Sequence, residues 1–390
     1  MKIAVLGGLG MQGRAALLDL ARSARVHEVL CVDASLRGWD ALAGITDTSK
    51  ITPVELDASS RRATVDLLAQ GVDAAIDLLP LPLMPTAFEA AIEAGVPLVS
   101  TNYARSVRHL EARARAAGAR LLPECGLDPG IDLVICGRAV RRFDELHVMN
   151  CYCGGIPENS AAANPLRYKI SWNLEMLLGS QDRDSVVIRD GRRVAIPASE
   201  QHETEMVHAI DFPGVGTLEA IPNGDAAAYT DLLGVAGTVR EAGRYSLRWP
   251  GWSAIWAPMK RLGLLSAAPL PGLPCPLSPR QFLARLLEPQ LQYGPQERDL
   301  VLMLNIFEGL KGGRRRRIVS SLTIRRDLRS GLFGMALGVG FPASIASQML
   351  ADGRIAGRGL LNPAVDLPHG PFLEALAERG LVVREEVLES

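Results

Sequence analysis

The chain has 390 residues, more than one ordinary hydrophobic core accommodates, so two or three domains are expected. Hydrophobic residues make up 48% and charged residues 22%; this excludes a disordered chain, and a formal net charge of −1 supplies no field to gather nucleic acid or an anionic membrane. The six cysteines are scattered, and the first apolar run stops at glycines instead of continuing as a signal peptide, so free thiols in a reducing cytoplasm are expected.

A short apolar strand, Lys2 to Leu6, runs into GGLGMQG and then into a helical pattern from Arg14 to Ala21; a second strand, Val29 to Val32, ends at Asp33. Gly8, Gly10 and Gly13 stand in G-x-G-x-x-G register, with an acidic residue twenty positions after the last glycine. This is the order of a dinucleotide site. Gly8 is expected to permit the tight turn, Gly10 to let backbone N–H groups approach the pyrophosphate, and Gly13 to let helix pack on strand. Met11 and Gln12 open the helix whose N-terminus favours the negative charge. Asp33 would accept from the ribose hydroxyls and repel a 2′-phosphate, which predicts NAD; Ser35 and Arg37 soften that preference and leave NADP open.

The alternation continues. Strands are predicted near Thr52–Leu56, Asp73–Leu79, Pro97–Ser100 and Arg120–Pro123, with helices at 60–70, through Phe88 and Ile92 as far as Gly95, and at 107–117. Helix-length spacers between strands predict an α/β, doubly wound parallel sheet of Rossmann type over residues 1–130. Ligands then sit at the carboxyl ends of the strands, so Asp57, Leu79, Pro80 and Thr101 join the cofactor candidates. Beyond residue 140 strand patterns dominate, at 145–153, 185–188, 194–196, 244–248, 300–308 and 318–324, which predicts a second, largely antiparallel α+β domain over 131–340 that closes over the nicotinamide end. Residues 263–279, rich in proline, read as a surface excursion. Gly331 to Ala351 carries no charge and is long enough to span a bilayer, but its glycines, Pro342 and Gln348 favour a turn followed by a buried helix from about Pro342. A further helix is read at 371–379.

Residues 124–132 read ECGLDPGID, in which Pro129 fixes φ and Gly130 permits unusual φ; taken alone this is a turn joining two domains, with Asp128 capping the next helix. Downstream stand YCGGIP at 152–157, NPLRYKISW at 164–172 and LEAIPNGDAAAYTDLLGV at 218–235. Together with the glycine turn, and with MLADGRIAGRG at 349–359, these motifs resemble the saccharopine dehydrogenase family, particularly its glutamate-forming branch, over nearly the whole chain.

The resemblance implies a Rossmann domain, a substrate and dimerisation domain, and C-terminal helices (341–390) that return to the first; it also implies a homodimer. The implied chemistry is nicotinamide-dependent oxidation or reduction at a carbon bonded to an amino-acid nitrogen, as in saccharopine formation or cleavage in lysine metabolism. Related members oxidise the lysine ε-amine or carboxylated polyamines. A nucleotide-binding or redox-sensing protein without turnover is the alternative of another class. Carried over by motif, Asn102, Tyr103, Asp128, Cys153 and Asn223 face the substrate, and Asp128, Cys153 and Lys169 are the candidate acid–base groups. Their structural alternatives are a helix cap for Asp128, a small buried hydrophobe for Cys153 and an ion pair for Lys169.

Two departures stand out. Asn102 occupies a position where the family carries serine, and Gly224 stands where its Pro-Asn-Arg-Asp motif has arginine. That arginine resembles a carboxylate clamp, so either the substrate lacks a carboxylate or another arginine, Arg167, Arg240 or Arg244, binds it. No metal site is expected from the Cys151-x-Cys153 pair, which has no second pair beside it. The run Arg314–Arg317 after Gly312-Gly313 reads as a solvated strand edge following a hairpin turn, not a nucleic-acid patch.

Overall fold

In the computed structural model, which describes residues 1–272 and 274–390, six strands alternate with helices over the first third of the chain. They are β1–β6 (Lys2–Leu6, Glu28–Asp33, Ile51–Glu55, Ala74–Asp77, Leu98–Ser100, Arg120–Leu122), with α1 (Met11–Arg22), α2 (Arg61–Leu68), α3 (Met84–Ala94) and α4 (Glu111–Ala116) between them. All pair in parallel, in the order β6-β5-β4-β1-β2-β3, so the winding reverses between β1 and β4. Local chemistry sets the ends of the helices. Ser60 caps α2 by accepting from Ala63 N, and Gly95, in the left-handed region at φ 69°, ends α3. The helix expected at 107–117 is shorter: two 3-10 turns occupy 104–110 and leave one and a half turns to α4.

After α5 (Ile131–Val140) come β7 (Glu145–Pro157), α6 (Leu174–Ser180), β8 (Ser185–Arg189), β9 (Arg192–Ile196), β10 (His208–Phe212), β11 (Gly216–Pro222), α7 (Ala226–Leu232), β12 (Glu241–Arg248), α8 (Trp252–Arg261), α9 (Pro279–Leu287), β13 (Asp299–Lys311) and β14 (Arg314–Arg325). The chain continues through α10 (Gly334–Ala351), β15 (Gly359–Leu360), α11 (Pro363–Asp366) and α12 (His369–Glu378) to β16 (Arg384–Glu389). The proline-rich excursion lies between α8 and α9; Leu273 within it falls outside the described residues.

Two compact units result: Met1–Arg138 with Asp327–Val382, and Ala139–Arg326 with Val383–Ser390. In the first, β15 adds a seventh parallel strand beside β6, and α10 packs on α1, β4 and β5. The helix begins eight residues earlier than the sequence pattern suggests, with Pro342 inside it. A mid-helix proline costs about 3 kcal/mol, and burial on nearly every side outweighs that. A Cβ on Gly340 would lie 2.6 Å from the Gln12 carbonyl oxygen, so α10 and α1 cross with their backbones in contact. Among the described residues α10 is the one helix long and apolar enough to cross a membrane, and 78% of that window is buried inside the protein.

Polar bonds fix the same crossing. Asp19, 5% exposed on α1, accepts from Ser344 Oγ at 2.6 Å and from Arg379 Nε at 2.5 Å, and Ser23 Oγ donates to Gln348 Oε1 at 2.7 Å.

The second unit is built on a sheet ordered β10-β11-β12-β7-β13-β14-β16, with the β8–β9 hairpin attached to β12. Its pairings are antiparallel except β7 with β12. One apolar cluster, including Tyr152, Leu218, Leu247 and Leu302, lies on the sheet; another gathers Leu177, Trp252, Trp256 and Leu283 under α6, α8 and α9. Strands β10 and β11 were not legible as periodic segments. The expected solvated edge at Arg314–Arg317 is instead paired: β16 lies against β14, with Arg316 bonded to Glu389 (Nε–Oε1 3.0 Å) and Arg317 to Glu308 at 3.3 Å. The C-terminal 50 residues therefore do not all join the first unit. The acidic run Arg-Glu-Glu-Val-Leu-Glu finds its complement on the arginine-rich strand of the second.

Candidate active site

The glycine turn closes on β2. Gly7 N and Gly8 N both donate to Val32 O, at 2.8 and 3.1 Å, and Leu9 N donates to Asp33 Oδ2 at 3.1 Å. The residue that permits the turn is Gly7, at φ 78°, not Gly8; a Cβ on Gly8 would meet Cys31 Sγ at 2.7 Å. Gly13 has the expected packing role, since a Cβ there would lie 2.3 Å from Gly7 O and 2.5 Å from Gly8 O. Gly10 stands at the N-cap of α1 in extended geometry with no side-chain cap, and Met11 is exposed. A glycine-rich turn at an uncapped helix N-terminus fits a pyrophosphate.

At the carboxyl ends of β4 and β5 four residues close a ring of hydrogen bonds. Leu79 N donates to Asp77 Oδ1 (3.1 Å), Ser100 Oγ to Asp77 Oδ2 (2.8 Å), Asn102 N to Ser100 Oγ (3.3 Å) and Asn102 Nδ2 to Leu79 O (3.2 Å). Asp77 and Ser100 are wholly buried, and burial pushes the Asp77 carboxyl up to about 6 despite the two bonds that oppose it. Sequence reasoning passed over Asp77 as one more strand residue; the signal was an acid inside the apolar run Ala74-Ala75-Ile76-Asp77-Leu78-Leu79. Leu79, Thr101 and Tyr103 are half-buried here, and Pro80 is exposed. Asp57 is exposed, with Oδ1 accepting from Ser59 N at 2.9 Å, so it shapes the turn that opens α2.

After β6 the chain enters the Gly126–Gly130 loop. Gly126 N donates to Pro129 O and Ile131 N to Gly126 O, at 2.9 and 3.0 Å, and the Asp128–Pro129 peptide is cis. At the start of α5 the Asp132 carboxylate accepts from Gly130 N at 2.8 Å, and Asp128 is half-buried on the loop. Burial raises Asp132 well above the usual carboxylate range, with Cys136 and Glu124 acting in the same direction. Glu124, buried and at φ 61°, joins two segments: its Oε1 accepts from Ala104 N (3.2 Å) and its Oε2 from Asn362 Nδ2 (2.9 Å).

In the second unit Cys153 is buried on β7, in register with Ser246 of β12, which in turn is opposite Ile221 of β11; Asn223 follows two residues on. Burial lowers the nearby Arg248 guanidinium, against the influence of Tyr168 and Cys153. Lys169 Nζ bonds Glu297 Oε2 at 2.5 Å and sits 5.9 Å over the Tyr293 ring, and Lys169 and Gly294 N together hold the Glu297 carboxyl below its usual range. Gly224 adopts φ 80° with no atom within 4 Å of an added Cβ.

Besides Arg244, whose backbone O accepts from Asn223 N at 2.8 Å, a guanidinium not expected from sequence stands beside this motif: Arg183 Nη2 donates to Asn223 Oδ1. Arg167 bonds Asn159, Arg244 lies over Tyr229 at 4.6 Å, and Arg240 stands beside Gly191. Residues 181–185 run past the loop, as Val186 N donating to Gly224 O at 2.9 Å shows, which periodicity could not reveal. Among the described residues no group of three or more His, Cys, Asp or Glu side chains is arranged to hold a metal ion.

Residues 3–122 match the saccharopine dehydrogenase NADP binding domain, and residues 126–381 the saccharopine dehydrogenase C-terminal domain. Mouse (Mus musculus) mitochondrial alpha-aminoadipic semialdehyde synthase is 26% identical over 98% of this chain and 47% of its own length. The chain spans about half the length of the synthases it matches. Saccharopine dehydrogenase (NADP(+), L-glutamate-forming) of Schizosaccharomyces pombe is 26% identical over 86% of this chain and 88% of its own. The solved apo saccharopine dehydrogenase (L-Glu forming) from Saccharomyces cerevisiae shares the fold, with a TM-score of 0.84 over 99% of each chain at 23% identity. With both of its parts matched, the chain belongs to the saccharopine dehydrogenase family.

Proposed function

We propose that this protein is a nicotinamide-dependent oxidoreductase acting on the C–N bond of an amino-acid derivative, in the manner of saccharopine dehydrogenase and within lysine metabolism. The observation that carries the reading is the built dinucleotide cradle, Gly7 to Gly13 over α1, on a chain that belongs to this family. A bound nicotinamide would supply hydride chemistry. The chain's own residues bind and orient: α1 and the glycine turn hold the pyrophosphate, and Asp33 faces the adenosine ribose. Asp128, Cys153 and Lys169 are the proposed acid–base groups, and the Lys169 amine is held in place by Glu297.

Asp33 supports a preference for NAD(H), whereas the name of the family's domain and the S. pombe relative's name both carry NADP. A homodimer in a reducing compartment is part of the proposal; its support is the family resemblance and six free cysteines. Gly224 supports a second reading, in which the substrate differs from saccharopine. The test is nicotinamide absorbance with purified protein, each dinucleotide, and saccharopine, lysine or carboxylated polyamines. Turnover of one of them is expected. Dinucleotide binding without turnover of any would replace the enzyme by a non-catalytic binding protein, and sedimentation would settle the dimer.

A further inference from the structure

Three features set Asp77 apart from an ordinary buried acid. It ends β4, next to the point where strand order reverses and where open parallel sheets bind their ligands. Its immediate neighbour Leu78 touches the nucleotide turn: Leu78 N donates to Leu6 O at 3.0 Å, and a Cβ on Gly7 would lie 2.8 Å from Leu78 O. Third, both of its oxygens are acceptors in the closed ring, one from Leu79 N in the loop after β4 and the other from Ser100 Oγ at the end of β5. A carboxylate is the side chain that accepts on two sides at once without offering a competing donor.

The ring also accounts for the amide at position 102. Asn102 spends Nδ2 on Leu79 O and its backbone N–H on Ser100 Oγ, so it bridges the two loops. A serine hydroxyl stands one atom nearer its own backbone than the asparagine amide nitrogen and could not hold the Leu79 carbonyl from the same position. Asn102 thus belongs with Asp77 and Ser100 as part of one device.

We propose that Asp77 is a positioning residue for the reactive end of the dinucleotide site: through Ser100 and Asn102 it holds the Leu79 and Asn102 backbones as a single wall beside the glycine turn. This rests on the oxidoreductase function proposed above. Asp77 touches neither substrate nor cofactor in this role. It acts by fixing the loops that do, and a misplacement of about 1 Å in such loops costs up to about a hundredfold in rate.

The test compares the unmodified protein with Asp77→Asn, Ser100→Ala, Asn102→Ser and Ser100→Thr. Asparagine keeps the shape of Asp77 but replaces one acceptor by a donor. The serine variants break the ring elsewhere should Asp77→Asn fail to fold, and threonine restores the hydroxyl. Expected is a kcat about thirty- to a hundredfold lower in Asp77→Asn and about tenfold lower in Ser100→Ala. The dinucleotide dissociation constant should change less than about threefold, because pyrophosphate and ribose contacts lie elsewhere. Ser100→Thr should recover most of the loss, and the Leu79 amide should exchange faster in every ring-breaking variant. Unchanged kcat in a folded ring-breaking variant overturns the positioning role and leaves the function standing. Parallel loss of kcat, dinucleotide affinity and melting temperature also overturns it, as that marks a purely structural acid. No turnover by the unmodified protein with any substrate overturns the function and the inference together.

Discussion

Removing the carboxylate of Asp19 should loosen α1 from the C-terminal segment and weaken dinucleotide binding at the other end of the helix. Asp19 is 5% exposed and makes two short bonds, 2.6 Å from Ser344 Oγ and 2.5 Å from Arg379 Nε. The Arg379 side chain is 20% exposed and keeps a bond to Ala375 O, so after Asp19→Ala its charge is only partly stranded. Breaking a buried pair by removing one partner costs about 3–5 kcal/mol, and partial hydration of Arg379 puts the expectation near the lower figure. Asp19→Asn retains one acceptor and should cost about half as much. With two units present, global unfolding need not be two-state, so the measurement is hydrogen exchange of α1 amides together with dinucleotide affinity. A double-mutant cycle with Arg379→Ala should return a coupling of about 1.5–3 kcal/mol. A loss in α1 protection below about 1 kcal/mol, or additive single effects, would show that apolar packing of α10 carries the contact alone.

Gly224→Arg has space but pays backbone strain: its φ of 80° costs an L-residue about 1–2 kcal/mol, against about 1.5–3 kcal/mol for a charge-assisted carboxylate bond. The strain is common to free enzyme and transition state and lowers stability only, so saccharopine kcat/KM should rise about ten- to a hundredfold, lysine turnover should not rise, and an equal effect on both would refute a clamp at this position. Asp33→Ala should erase a preference for NAD(H) over NADP(H), and tighter NADP(H) binding by the unmodified protein in calorimetry would show that the carboxylate, which already accepts from Leu9 N, does not discriminate. For Asp77 the folded value of about 6 lies above the ordinary carboxylate value, so the neutral form is favoured by folding. Its stabilising contribution is complete below about pH 4 and is lost as pH rises through 6, by about 3 kcal/mol. The stability of the unmodified protein relative to Asp77→Asn should fall by that order between pH 4 and 7.5, and a flat difference in chemical unfolding would contradict the burial effect.

The first unit was legible because its physics is local. A strand, a glycine turn and a helix follow one another within Lys2–Arg22, and each apolar run is bounded by a turn residue. What could not be read was tertiary. Gly7 looked redundant beside Gly8 until Leu78 was seen to close on it; Asp77 and Asn102 are far apart in sequence and meet only because β4 and β5 are neighbours. In the second unit the long strands β13 and β14 announced themselves by alternation and by Gly312-Gly313, whereas β10 and β11 are short, polar on one face and ordered by their neighbours. The arginine beside Asn223 comes from a segment forty residues earlier, and no spacing rule points to Arg183.

The chain passes between its units three times, after Arg138, Arg326 and Val382, and this sets an order of events at the ribosome. When β1–β6 have emerged, α1 still lacks the helix that covers it, and Asp19 has neither Ser344 nor Arg379 to accept from. Roughly 240 further residues must be made before both arrive, which at about 5–20 residues per second is an interval of roughly ten to fifty seconds. For that time the nascent nucleotide sheet carries an open apolar face. A stop codon or cleavage just short of α10 would make the exposure permanent, so the segment from α10 to Arg379 acts in practice as a checkpoint on completion of the first unit.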